Sequence, residues 1–163
     1  MNHHNIRSAI WLRCVMSPRG IRQTAEEIAG LLAPHKNSFD TIAFRGLSGS
    51  LIVPTLAGLM KKEFLAVRKD GESSHSRYPI EGNYACQKFI IVDDLIHSGK
   101  TIKEISDSVK AEIQSSMGHT PELVGIALYN GDPYSEESSY RTVLGQGFEN
   151  TFMVLKNRPF MWS

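Results

Sequence analysis

Between Lys88 and Val92 the chain runs through Phe89, Ile90 and Ile91 with no polar side chain on either face, then stops on two adjacent aspartates, Asp93 and Asp94. A strand apolar on both faces is what a central parallel position in a covered sheet requires, because water reaches neither side. The surrounding chain repeats the same alternation. Thr41–Phe44, Phe64–Val67 and Leu123–Tyr129 are further short apolar runs of strand character. Ser17 and Pro18 read as a helix N-terminus followed by one apolar stripe, Ile21, Ala25, Ile28, Leu31 and Leu32, that Pro34 ends. Leu51–Met60 and Thr101–Met117 carry helical spacing, the latter through Ile102, Ile105, Val109 and Ile113. Strands alternating with helices predict an α/β fold, a mostly parallel twisted sheet flanked by helices on both faces, with ligands outside the carboxyl ends of the strands. Ala9–Met16, short and rich in Ile, Trp and Val, reads as an additional strand. Arg45–Ser50 reads as a Gly- and Ser-rich turn, and Arg68–Tyr84, polar and without period, as a long mobile loop.

Composition narrows the partners. A chain of 163 residues, 41% hydrophobic and 21% charged, is expected to form one globular domain over 1–163. A formal net charge of +1 gives no broad basic surface for nucleic acid or anionic lipid, so any anion site must be local. The two cysteines, Cys14 and Cys86, suggest neither a disulfide framework nor a thiolate metal site, and a reducing, cytoplasmic setting is expected. The polar start and the short apolar run after it make neither a signal peptide nor a membrane span.

The chemistry concentrates where the Lys88–Val92 strand ends. Asp93, Asp94, Leu95, Ile96, His97, Ser98, Gly99, Lys100 and Thr101 set two carboxylates and a short polar loop between a buried strand and a helix. Loop amides, a helix N-terminus and the hydroxyls of Ser98 and Thr101 suit a phosphate monoester. Adjacent carboxylates repel phosphate but suit vicinal ribose hydroxyls and a hydrated magnesium ion, so the pair points to a sugar phosphate. The ending Ser98-Gly99-Lys100-Thr101 resembles a nucleotide-binding P-loop, yet that motif needs a glycine where Asp94 stands. Taken alone, the aspartates also read as helix caps and Ser98-Gly99 as a turn.

The whole order from Ile91 to Thr101, apolar strand, paired acids, two aliphatics, Ser-Gly and Thr, resembles the phosphoribosyl pyrophosphate signature of the type I phosphoribosyltransferases. The resemblance extends more loosely from Arg19 through Tyr129. It implies a 5-phosphate loop of Leu95, Ile96, His97, Ser98, Gly99, Lys100 and Thr101, with Asp93 and Asp94 as catalytic carboxylates that hold Mg2+ through water. It implies a pyrophosphate loop at Arg45, Gly46, Leu47 and Ser48. Arg68 and Lys69 are similar to the start of the catalytic flap in the adenine and orotate enzymes, and serve pyrophosphate; Lys100 matches the 6-oxopurine enzymes instead. The orotate enzymes carry a further lysine and a histidine-glycine in that flap, where this chain has Glu72 and His75. His97, where the 6-oxopurine enzymes usually have aspartate, either shuttles a base proton or donates to the phosphate.

The activity so implied is transfer of ribosyl 5-phosphate from phosphoribosyl pyrophosphate to a nucleobase, purine favoured and orotate possible, by a Mg2+-dependent homodimer. A regulatory protein that keeps the fold and reads the same ligand is the alternative, and a donor-making synthetase, normally two tandem domains, a third. A variable hood selects the base in this family, with candidate segments 1–16 and 130–163. There Phe148, Phe152, Phe160 and Trp162 either stack on the base or pack as core.

Overall fold

The computed structural model describes residues 8–72 and 76–157. Within them, six strands form one sheet: β1 (Thr41–Arg45), β2 (Glu63–Val67), β3 (Ile80–Gly82), β4 (Lys88–Asp93), β5 (Glu122–Gly131) and β6 (Phe152–Asn157), in the order β3-β2-β1-β4-β5-β6. All neighbours are parallel except β2 and β3. Helices α1 (Pro18–Leu32) and α2 (Gly46–Met60) cover one face, and α3 (Lys100–Met117) and α4 (Glu137–Leu144) the other. Alternation along β4 builds both cores. Ile90 and Val92 pack with Ile28, Leu32, Ile52 and Leu56, while Phe89 and Ile91 pack with Ile102, Ile105, Val109 and Ile113.

The chain leaves β1 toward one edge through α2 and leaves β4 toward the other through α3, so the order reverses between β1 and β4. A crevice forms at such a point because the two connections diverge to opposite faces. Arg45 ends β1 and Asp93 ends β4, so both open on it.

Four expectations are corrected. Ile10–Val15 forms a 3-10 helix, not a strand. Val15 is buried and Leu12 packs on the same core, while Arg13 and Cys14 between them are exposed, an i,i+3 pattern that a strand cannot satisfy. The Gly- and Ser-rich stretch after Arg45 is helix: Gly46, at φ +69°, turns the chain within one residue and α2 begins there. Gly49 lets that first turn close on β1, since a Cβ there would lie 2.5 Å from Phe44 Cβ. The expected loop from Arg68 to Tyr84 contains β3, too short to show a period, pairing Leu65 with Gly82 and Val67 with Ile80. Leu31, placed in the α1 stripe by spacing, is 46% exposed.

The C-terminal hood candidate divides. Its residues 130 and 131 finish β5, and β6 is one of the sheet's two edge strands; Phe148 is buried core and Phe152 stacks on His35 with ring centroids 3.8 Å apart. Phe160, Trp162, His75 and residues 1–7 lie outside the described residues.

Candidate active site

Two helices aim their N-termini into one cleft of about 360 Å³. α3 starts behind Gly99, whose φ of +74° swings the loop into the helix and which, as the N-cap, has no side chain to cap the amides beyond Lys100. Ser98 Oγ accepts from the Lys100 amide at 3.4 Å, while Thr101 and Ile102 line the cleft. α2 likewise starts with no side-chain cap, and Gly46, Leu47 and Ser48 form its wall. An uncapped helix start offers unpaired N–H groups and the positive end of the helix dipole. The cleft therefore has two anion-binding ends, with Asp93 and Asp94 between them.

Asp93 is buried, and its Oδ1 accepts from the Ser48 hydroxyl at 2.8 Å and the Asp94 amide at 2.9 Å. Burial, and then the neighbouring Asp94 carboxylate, push its carboxyl up to about 7, against which those two donors act. Asp94 Oδ1 accepts from the Leu95 amide at 2.8 Å, and its carbonyl accepts from the Asn130 amide at 2.8 Å. The Tyr129 hydroxyl donates to the Ser48 carbonyl at 2.9 Å. Burial and the two aspartates push that phenol far above its ordinary value, so it stays a donor.

The cations divide. Lys69 lines the cleft, and its Nζ lies 3.8 Å from where a Cβ on Gly46 would stand. Arg68 turns away, donating to Glu81 of β3 at 2.7 Å. Arg45 borders the cleft but is engaged twice, by the Glu104 carboxylate of α3 and, at 3.1 Å, by the Arg68 carbonyl. Lys100 stands on the exposed side, 3.7 Å from Glu104. His97 is exposed at the border between this cleft and a second cavity of about 500 Å³, which Leu95, Ile96, Asp132, Ser139, Tyr140 and Val143 help to line.

Known proteins share this fold. Over 107 residues the chain is 35% identical to an adenine phosphoribosyltransferase of Bifidobacterium longum subsp. infantis, covering 56% of this chain and 55% of that enzyme. The chain spans about half the length of the curated relatives it matches. An orotate phosphoribosyltransferase from Francisella tularensis superposes with a TM-score of 0.63 at 13% identity, over 86% of this chain and 67% of that one. An adenine phosphoribosyltransferase from Thermoanaerobacter pseudethanolicus gives 0.60 at 20% identity, over 92% and 87%. No protein-family profile matches the chain. The fold is that of the type I phosphoribosyltransferases.

On this phosphoribosyltransferase fold, most of the residues singled out in the sequence meet in one cleft: Asp93 to Gly99, Thr101, Arg45 to Ser48 and Lys69. Arg68 and Lys100 do not line it. Two contributors had no sequence signal of their own. Leu12 forms part of the wall from within a segment read as a strand, and Tyr129 looks like any aromatic in a buried strand until its hydroxyl is seen on Ser48. No helix of the described residues is long and apolar enough to cross a membrane.

Proposed function

We propose that the chain transfers the ribosyl 5-phosphate group of phosphoribosyl pyrophosphate to a ring nitrogen of a nucleobase, a purine in preference to orotate, releasing pyrophosphate with inversion at the anomeric carbon. One observation carries this: two uncapped helix N-termini flank a buried carboxylate pair in a single cleft. A ligand that fits has two anionic ends and a hydroxylated, cation-forming middle, which describes this donor. The α3 end, with Ser98, Gly99 and Thr101, takes the 5-phosphate. The α2 end, with Lys69, takes the pyrophosphate. Asp93 and Asp94 accept from the ribose hydroxyls and stabilise the positive charge that grows on the ring as the bond to pyrophosphate breaks. Arg45 and Arg68 then act at the root of the flap, holding it through the Arg68 carbonyl and Glu81.

The acceptor enters from the second cavity, which shares Leu95, Ile96 and His97 with the first. As the new carbon–nitrogen bond forms, the ring nitrogen loses its proton, and His97 at the shared border is placed to receive it. Among the described residues no three His, Cys, Asp or Glu side chains gather as a metal site, and Asp93 Oδ1 already accepts twice. The residues fit a hydrated Mg2+ carried by the donor and held through water by Asp93 and Asp94, where it would neutralise the leaving pyrophosphate. We place the enzyme in the cytosol, where an exposed thiol such as Cys14 stays reduced. We extend the proposal to a homodimer, in which a second copy would cover the exposed apolar side chains of Leu47 and Phe64.

The test is pyrophosphate release from the Mg2+ donor with adenine, hypoxanthine, guanine, xanthine, orotate, uracil or nicotinamide. Purine-dependent release, lost in Asp93→Asn/Asp94→Asn, is the expected result. Donor binding with no turnover on any base would make the protein a sensor of this ligand instead.

A further inference from the structure

We propose that Tyr129 is a positioning residue that holds the two halves of the cleft in register, acting through Ser48. The pyrophosphate end belongs to β1 and α2 and the carboxylate pair to β4, two parts of the chain that meet only across the sheet. At its carboxyl end β5 reaches both. The Asn130 amide donates to the Asp94 carbonyl at 2.8 Å, and the Tyr129 hydroxyl donates to the Ser48 carbonyl at 2.9 Å. Ser48 closes the ring by donating its own hydroxyl to Asp93 at 2.8 Å. Two consecutive residues of one strand thus tie the first turn of α2 and the acid loop to a common support.

Burial makes the tie directional. Tyr129 is fully buried in the core that α1 and α2 cover on one side of the sheet, so its ring cannot rotate away and its hydroxyl has a fixed address. A carbonyl has two lone pairs, so Ser48 can accept this bond and still take part in its helix. Ser48 thus carries the Tyr129 hydroxyl's hydrogen bond on to Asp93, and its Oγ position depends on the held backbone. Phenylalanine would fill the same space and drop this contact alone.

The catalytic consequence rests on the reading of the cleft as a phosphoribosyl pyrophosphate site, but the tie does not. Amide hydrogen exchange on the ligand-free protein tests it directly: Tyr129→Phe is expected to speed exchange at Leu51 and Ile52, whose amides pair within α2 with the first-turn carbonyls, by about fivefold, the size of one lost hydrogen bond, with α3 unchanged. Unchanged exchange in α2 overturns the proposal. Donor titrations test the consequence. Tyr129→Phe should raise the KM for phosphoribosyl pyrophosphate several-fold with little change in kcat, Ser48→Ala should do the same, and the double variant should be no worse than Ser48→Ala. Losses that multiply would mean that Tyr129 does not act through the Ser48 hydroxyl, which also overturns the proposal. If wild-type protein fails to bind the donor, the functional reading falls while the exchange measurement still decides the tie.

Discussion

Arg68 and Lys69 are adjacent cations with opposite surroundings, Arg68 paired with Glu81 and Lys69 facing the first turn of α2. A charge already paired with a carboxylate has less to offer an arriving anion. Lys69→Ala is therefore expected to raise the KM for phosphoribosyl pyrophosphate about tenfold, the size of one charge-assisted contact, and Arg68→Ala by clearly less. Steady-state kinetics of the two variants side by side checks the order; a larger effect at Arg68 would contradict it. Gly99 is constrained differently. At φ +74° a side chain is strained, and a Cβ would sit 3.2 Å from the Val143 carbonyl, so Gly99→Ala should cost about 1 to 2 kcal/mol and weaken donor binding. Denaturant unfolding and titration of the same sample measure both.

Element by element, the connections between strands and helices carry the site. The β1–α2 connection is sharp because Gly46 turns it and because Gly49 has no side chain to hold the helix off Phe44. Gly49→Ala should force that first turn outward, with an overpacking cost of about 1 to 3 kcal/mol and a weaker pyrophosphate end. A lowered Tm with an unchanged donor KM would show that the helix had absorbed the extra carbon without moving. This is also where the sequence is hardest to read. Glycine and serine have poor helix propensity, so Arg45–Ser50 reads as a turn although tertiary contact makes it helix from Gly46 onward. The β4–α3 connection, by contrast, is legible to the residue. An all-apolar strand, two acids and a Gly-led helix leave one arrangement, and α3 starts within one residue of the expected position. Ile10–Val15 misleads for a related reason: six residues are too few to separate a period of two from one of three.

Taken as a whole, the molecule buries a carboxyl that desolvation and the neighbouring Asp94 charge push up to about 7. The native Asp93 binds its proton up to about 7, whereas an unfolded chain releases it near the ordinary carboxylate value, so the native state holds the extra proton between those limits. Stability of the ligand-free protein should then fall as pH rises from about 4 to about 7, and Asp93→Asn should flatten that part of the curve. Urea unfolding across this range checks the slope; a stability that rises through it in wild type and variant alike would contradict the environment described for Asp93. The alternation of strands and helices, the covered parallel sheet and the acid pair at a strand's carboxyl end could be read from the sequence because each is a local pattern. The division of labour among Arg45, Arg68 and Lys69, and the reach of Tyr129 to Ser48, could not, because they depend on partners 13 to 81 residues away. The most direct measurement of the central claim is calorimetric titration of phosphoribosyl pyrophosphate with Mg2+ into the wild type and into Asp93→Asn/Asp94→Asn. Saturable one-site binding by the wild type, weakened by at least about tenfold in the variant, is the predicted result; no binding, or equal binding by both proteins, would contradict it.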